Sequence, residues 1–397
     1  MKIFEIGTGY TSIPARMGAA TEIVVEELTR SMLKMHYDVS IVDIQDSSRV
    51  PNDLPIIEVP VPASITSTDT TLNLLHKMKR VVYSISLART LRGILKESKD
   101  ENIVLHFHNQ YNLFFFYLLT SRKMRSRARI AYTVHSYIWQ SKWKAIAGVA
   151  RKKYFQEIYC VKRADRVFVL NDQTAETFRI QFKIAPEKIV KILNGVNMDV
   201  YCGLNSQDDA AVRGALHLEN KTVFFHAGSV CERKNQLGAL HLLMPLLKAH
   251  KNFCFVYAGG IISAEYQEMI RDCALANSVA DQVIYAGELT PGKMLNEYYG
   301  ISAALVFPSE REGFSLVILE ALSTGLPVLV NARSNLQLPR GCDACCLRYD
   351  SPESFTALVR EQILSGARRA EISGIAKKAI RDGYGWDAVA HKYIEAF

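Results

Sequence analysis

Short apolar runs rich in Val, Ile and Phe alternate with longer amphipathic stretches along the whole chain, and this alternation most restricts how it can fold. Runs that are apolar on both faces suit parallel strands covered by helices on either side. In the first half the pattern predicts strands at 2–6, 39–44, 103–107, 129–134, 166–170 and 189–192. Helical periodicity falls between them at 21–34, 74–97 and 138–163. In the last of these, Trp139, Trp143, Ile146, Ala150, Tyr154 and Ile158 recur at steps of three or four and form one apolar stripe.

The pattern then restarts. Asn194-Gly195 reads as a turn, and the polar stretch 203–221, with Asn205, Ser206, Gln207, Asp208 and Asp209 in a row, reads as a linker. Beyond it, strands are expected at 222–226, 253–258, 282–285, 304–307 and 327–330, again separated by helical patterns. The last stretch, 376–397, is helical, with Trp386, Val389, Tyr393 and Ile394 on one side. Two βα arrays in succession predict an α/β protein of two doubly wound domains, 1–200 and 201–379. The cleft between them is the expected ligand site. A length of 397 residues fits two cores better than one.

Composition removes several classes. With 49% hydrophobic and 22% charged residues, the chain is neither collagen-like, disordered nor a small disulfide framework. The apolar run 113–119 is far shorter than the ~20 residues of a membrane span. Glu5 interrupts the start where a secretory signal would be apolar. The eight cysteines are therefore expected as reduced thiols in a cytoplasmic protein. Charge is unevenly placed: residues 1–200 carry 29 Lys and Arg against 19 acids, whereas 122–166 carry 13 against only Glu157 and Asp165. Such a field attracts an anionic surface or substrate, unless it is simply a solvated face. Peripheral contact with an anionic membrane through 122–166 is one expectation; a buried helix packed on the first sheet is the other.

Several motifs fall at predicted strand ends. Gly7-Thr8-Gly9 follows the first strand, but Ser12 stands where a dinucleotide fingerprint needs its third glycine, so NAD or FAD binding is not expected. The loop 7–18, ending in Gly18 before a helix, retains free N–H groups that suit a diphosphate. His106 and His108 lie at i, i+2 on one strand and point the same way. With no carboxylate or thiol nearby in sequence, they read as polar residues of a strand-end crevice rather than a metal pair. His135 ends the next strand. In the second half Gly228 precedes Arg233 and Lys234, placed to meet a phosphate. Glu312 and Glu320 lie eight residues apart around Gly313, Phe314, Ser315 and Leu316, where a helix begins. Two carboxylates beside a helix N-terminus can hold a polyhydroxylated, diphosphate-bearing ligand.

The block from Glu312 to Glu320 resembles the E-x7-E motif of the family 4 retaining glycosyltransferases, also called glycosyl transferases group 1. The rest of the chain is similar in the same order. His106-Phe107-His108 and Tyr132-Thr133-Val134-His135 come first, then Ala164-Asp165-Arg166-Val167 and Asn194-Gly195-Val196-Asn197. The stretch 228–234, Ala286-Gly287-Glu288-Leu289 and Gly325-Leu326-Pro327-Val328 follow. The resemblance implies a GT-B architecture, two Rossmann-like domains facing a central cleft, with a C-terminal helix at 380–397 packed back on the first, acceptor-binding domain. It implies transfer of a hexose-type sugar from a nucleoside-diphosphate donor, expected to be a UDP-sugar, to a glycan, lipid-linked or small-molecule acceptor. No cofactor, metal or nucleic acid is implied.

By the same resemblance Glu312 and His135 are the catalytic candidates. Gly18, Gly228, Arg233, Lys234, Leu289, Ser315, Leu316 and Glu320 are the donor-binding ones, and His106 and His108 lie on the acceptor side. Two positions depart from the family pattern: Ser229 stands where Arg often follows the glycine, and Ser315 where glycine is usual. The alternatives are a catalytically silent member of the same fold, or another two-domain enzyme such as an epimerase or a phosphorylase.

Overall fold

Among the described residues every strand pair is parallel, so each strand must be reached by a crossover that covers a sheet face. The computed structural model describes residues 1–15, 19–63, 65, 74–98, 102–136, 138–140, 152–310 and 312–397. These divide into two compact units: Met1–Asn194 with Trp386–Phe397, and Gly195–Gly385.

In the first unit the strands are β1 (Lys2–Ile6), β2 (Asp38–Ile44), β3 (Ile56–Val59), β4 (Ile103–Phe107), β5 (Ala128–Val134), β6 (Arg166–Val169) and β7 (Ile189–Lys191). They run in the order β3-β2-β1-β4-β5-β6-β7. Strand order reverses between β1 and β4, where open parallel sheets gather ligands at their carboxyl ends. The loop after β1 is fixed there by buried Asn112, whose amide donates to the carbonyls of Gly7 and Thr8. Helix Leu74–Glu97 buries Leu87, Leu91 and Leu95 against the sheet, with Phe107, Phe116, Trp139 and Phe178 in the same core.

The second unit holds β8 (Thr222–Ala227), β9 (Phe253–Ala258), β10 (Val283–Tyr285), β11 (Ser302–Phe307), β12 (Val328–Asn331) and β13 (Cys346–Tyr349), in the order β10-β9-β8-β11-β12-β13. Its switch point lies between β8 and β11. The loops leaving β8, β9 and β10 are laced together by Gly228 N–H to Ala258 O, Val230 N–H to Gly260 O and Gly259 N–H to Gly287 O, at 2.8–2.9 Å.

Several sequence expectations need correction. The stretch 203–221 is not a linker: Ser206–Ala215 is a helix. Asn205 caps it by accepting from Asp208 N–H, and Arg213 ties it to Lys221 O and Ile301 O. The acidic run that looked unstructured supplies the cap and the first turn, where negative charge is favoured. The units divide at Asn194/Gly195 rather than at residue 200. The returning segment begins at Trp386 rather than at 380, because helix Gly366–Gly383 keeps Ile380 buried in the second unit. The stripe 138–163 is not one continuous helix as far as it is described. Ile138–Gln140 is a 3-10 turn and the helix proper starts at Phe155; Trp143, Ile146 and Ala150 lie outside the described residues. The apolar pattern does not mark strands β3 and β13, both at sheet edges.

Helix Trp386–Ala396 is held within the first unit by Lys34–Asp387 at 2.5 Å, by Arg166 Nε donating to Ala396 O, and by Tyr393 packed on Phe168. No helix among the described residues is long and apolar enough to cross a membrane. All eight cysteines are free thiols, and burial pushes up the pKa of six of them, Cys160, Cys254, Cys273, Cys342, Cys345 and Cys346.

Gly259 marks the tightest backbone crossing: its φ is +142°, and a Cβ there would lie 2.3 Å from Gly228 O. Gly259→Ala is expected to lower unfolding free energy by roughly 2–4 kcal/mol, through overpacking against backbone and a disfavoured φ. Urea unfolding monitored by circular dichroism measures it, and a midpoint equal to wild type would contradict the close approach.

Candidate functional site

In the second unit the candidate residues converge at the carboxyl ends of the two switch-point strands. The segment after β8 carries Arg233 and Lys234; the segment after β11 carries Glu312. The Arg233 guanidinium and the Lys234 ammonium both meet Glu312 Oε1, the latter at 2.7 Å. Ser309 Oγ donates to Arg233 O at 3.1 Å and lies 3.4 Å from the same carboxylate oxygen. Glu312 is only 9% exposed, so its charge is matched by two cations in a poorly hydrated setting, and the cluster carries a net positive charge. Gly228 lies beneath the Lys234 stem, whose Cδ and Cε would sit 3.4 Å from a Cβ there.

Sequence reasoning missed His226, on β8 below this cluster. It is fully buried, its Nδ1 lies 2.9 Å from Val306 O, and its Nε2 has no hydrogen-bond partner. Burial, more than the nearby Lys234, lowers its pKa to about 4. The ring is therefore neutral, donates through Nδ1, and keeps a bare acceptor at Nε2. A polar residue inside an otherwise apolar strand was the available signal.

Helix Leu316–Thr324 starts beside Glu312, with Ser315 at its N-cap making no side-chain capping bond. The first N–H groups of such a helix have no intrahelical acceptor. Glu320 sits on this helix but faces a different neighbourhood. Its carboxylate accepts from Tyr299 Oη at 2.8 Å, and it is 7% exposed. Burial raises its pKa to about 7, only partly offset by the tyrosine hydroxyls of Tyr299 and Tyr201. The two glutamates of the spacing motif thus differ: Glu312 is bound to cations, whereas Glu320 is held by phenols. Leu289 is buried on the segment after β10.

In the first unit His106, His108 and His135 do come together, around a residue the sequence reading did not include. Glu5 on β1 is in register with His106 on β4. Its carboxylate lies 2.9 Å from His106 Nδ1 and 2.7 Å from His108 Nε2. His108 Nδ1 lies 3.0 Å from His135 Nε2, and His106 Nε2 lies 2.7 Å from Thr133 Oγ1. Although burial opposes it, the two histidines hold Glu5 down at about 2. His106 and His108 are almost wholly buried and His135 is partly exposed. His106 and His108, expected on the acceptor side, are buried, and His108 is hydrogen-bonded to the more exposed His135. Glu5, His106 and His108 have the composition of a two-histidine, one-carboxylate metal set, with ligand atoms within 4.8 Å of one another. The hydrogen bonds among them already engage each of those atoms. Gly18 lies outside the described residues.

Residues 21–200 match the family described as Glycosyltransferase Family 4, and residues 208–337 match Glycosyl transferases group 1. The chain belongs to the group 1 glycosyltransferases. One relative, a lipopolysaccharide 1,2-N-acetylglucosaminetransferase of Salmonella typhimurium, is 27% identical over 53% of this chain and 56% of its own length. Another is the UDP-Gal:alpha-D-GlcNAc-diphosphoundecaprenol alpha-1,3-galactosyltransferase of Escherichia coli, 26% identical over 70% of this chain and 72% of its own. The chain spans about half the length of the first curated relatives it matches.

Two solved structures share the fold over 100% of this chain and 98% of theirs. Sucrose-phosphate synthase from Thermosynechococcus elongatus has a TM-score of 0.77 at 16% identity. Anabaena Alr3699/HepE in complex with UDP and glucose has 0.72 at 14%. Two Rossmann-like parallel sheets with this likeness make the glycosyltransferase a GT-B protein.

The raised Glu320 gives a signed pH prediction. Its pKa is about 7 in the folded protein and near 4.5 unfolded, so between these values the folded state holds a proton that the unfolded chain has released. This contribution to stability is present at low pH and is lost as pH rises through about 7. Glu320→Gln stays neutral throughout. Its melting temperature relative to wild type should therefore increase from about pH 5 to about pH 8. Glu22, also raised to about 7, is common to both proteins and cancels in the difference. A pH-independent difference would rule out the buried, proton-holding carboxyl.

Proposed function

We propose that this protein transfers a hexose-type sugar from a UDP-sugar to a hydroxyl of a glycan, lipid-linked or small-molecule acceptor, with retention of anomeric configuration and without a divalent metal. The observation that carries this reading is Glu312 clasped by Arg233 and Lys234 at the carboxyl ends of β8 and β11. A departing nucleoside diphosphate builds negative charge on its phosphate oxygens, and fixed cations and helix N–H groups aimed at that charge lower the barrier. Arg233 and Lys234 supply the charge that a metal would otherwise bring. The N–H groups of Ser315 and Leu316, at the start of the helix, add to it.

Glu312 has a second part in this scheme. When donor-sugar hydroxyls hydrogen-bond to its carboxylate, they replace part of its interaction with the two cations, which then turn towards the diphosphate. Glu320, protonated or ionised near neutrality, accepts or donates to ribose hydroxyls, and the backbone at Leu289 meets the base. Gly228 leaves room for close approach of phosphate to backbone, and Gly18 is the proposed backbone contact on the first unit's side. His135 stands beside the reacting sugar. No side-chain nucleophile is assigned; the leaving phosphate itself assists attack from the same face, which leads to retention. A UDP donor draws support from the relative whose name includes UDP-Gal and from the UDP-bound structure.

For a lipid-linked acceptor, peripheral contact with an anionic membrane is part of the proposal. Leu118, Leu119 and Phe155 are exposed on helices Gln110–Leu119 and Phe155–Arg163, with Arg122, Lys123, Lys152 and Lys153 in the same basic stretch. Exposed apolar side chains among cations suit such a surface. Not all of the charge is available: Arg125 donates to Tyr117 O and Thr120 O, Arg127 to Ser98 O, and Arg166 to Ala396 O.

Glu312→Gln, folded as judged by circular dichroism, is expected to lower transfer from a UDP-sugar by about 10²–10³-fold. Unchanged turnover would remove Glu312 from the mechanism. Chelation with EDTA should leave the wild-type rate unaltered, and NMR of the product should show the donor's anomeric configuration. A thermal-shift comparison of UDP-, GDP-, ADP- and dTDP-sugars should show the largest stabilisation with UDP, because a ligand that binds only the folded state raises its melting point.

A further inference from the structure

The first unit contains a chain of buried hydrogen bonds that ends at a partly exposed nitrogen. We propose that Glu5 and His108 are positioning residues that lock His135 in one tautomer, so that it presents Nδ1 as a hydrogen-bond acceptor to a carbohydrate hydroxyl. The inference rests on the glycosyltransferase reading above and names the polarity of a contact within it.

The proton assignments follow from donor and acceptor accounting. Glu5 is an anion, so it can only accept, and the nitrogen of His108 that faces it at 2.7 Å must carry a proton. His108, wholly desolvated, has its pKa lowered to about 4 and holds a single ring proton at neutral pH. That proton is on Nε2, which leaves Nδ1 bare. The next contact in the chain, His108 Nδ1 to His135 Nε2 at 3.0 Å, therefore requires Nε2–H on His135. Burial and the neighbouring His108 hold His135 well below its ordinary value, so it too is neutral. Its Nδ1 is then the free lone pair, and among the described residues no hydrogen bond to it is present.

Each link thus dictates the next, from a carboxylate on β1 through the ring that follows β4 to the ring that follows β5. His106 shares the Glu5 carboxylate but directs its other nitrogen to Thr133, which in turn lies 3.4 Å from Tyr393 Oη. This side branch buttresses the carboxylate without entering the line to His135. A carboxylate that fixes the tautomer of a histidine through its far nitrogen is a known way of setting ring orientation and basicity. Here a second imidazole is interposed, and the result is an acceptor at the exposed end. A carbohydrate hydroxyl that meets His135 must then be the donor in that hydrogen bond, with the Nδ1 lone pair accepting.

The test combines a spectroscopic readout that needs no substrate with a kinetic cycle. In the full-length wild-type protein labelled with ¹⁵N-histidine, long-range ¹H–¹⁵N correlation spectra at neutral pH should show His108 and His135 each protonated on Nε2 and bare on Nδ1. Protonation of His135 on Nδ1, or an averaged mixture, would overturn the proposal. Stoichiometric zinc uptake that Glu5→Gln abolishes would do the same, because a cation on these atoms would replace the protons that fix the chain.

In the kinetic arm, Glu5→Gln is expected to lower kcat/KM about tenfold when His135 is present. It should have little further effect in a His135→Ala background, since it acts through that ring. Equal losses in both backgrounds would indicate a purely structural part for Glu5 and overturn the proposal. If the wild-type protein transfers no sugar at all, the function reading fails, while the NMR result still decides the tautomer. The wild-type spectrum also keeps the proposal falsifiable if Glu5→Gln does not fold.

Discussion

A parallel strand cannot turn directly into its neighbour; the chain must first cross a sheet face, usually as a helix. Both units obey this constraint throughout, so all strands of a sheet deliver their carboxyl ends to one rim. Where strand order reverses, two such ends diverge and leave space between their loops. In the second unit that place is between β8 and β11, and it is where Arg233, Lys234 and Glu312 meet. In the first it is between β1 and β4, and there Glu5 stands beside His106 and His108. The chemistry of each unit therefore follows from a connectivity rule that applies before any side chain is chosen.

Three buried glutamates show how strongly local partners decide the state of a carboxyl group. Glu5 is wholly desolvated yet remains ionised, because two imidazole N–H groups point at it. Glu320, equally enclosed but faced only by phenols, has its pKa raised to about 7. Glu312 lies against two cations. The three positions offer an anion that orders protons, an acid balanced near neutrality, and a charge already shared with groups suited to phosphate. Burial alone distinguishes none of them; the neighbours do.

The fold was legible in the sequence because buried parallel strands are apolar on both faces and stand out as runs. The edge strands β3 and β13 are not: each is four residues long, and Glu58 and Arg348 interrupt them. The stretch around Asp208 and Asp209 misled, since a solvent-facing helix and a linker share the same polar composition, and only the Asn205 cap separates them. At the candidate site the Glu312 block was visible because its members lie within one local segment. Glu5 was noticed as a charge in an apolar run, but its link to His106 spans 101 residues and depends on strand register, which no local pattern carries. His226 was hidden similarly, its acceptor on β11 being 80 residues away.

The terminal helix Trp386–Ala396 belongs to the unit that was begun first, and this has a bearing on how the protein is made. The rings of Tyr393 and Phe397 lie 5.2 Å from that of His106, forming part of the wall that keeps the Glu5 network dry. During synthesis this wall leaves the ribosome only after the whole of Gly195–Gly385. The Glu5 network therefore lacks part of its apolar cover until Tyr393 and Phe397 are in place. The second unit, contiguous in sequence, can complete itself earlier. Completion of the histidine chain therefore has to wait for a segment that follows the whole second unit in sequence.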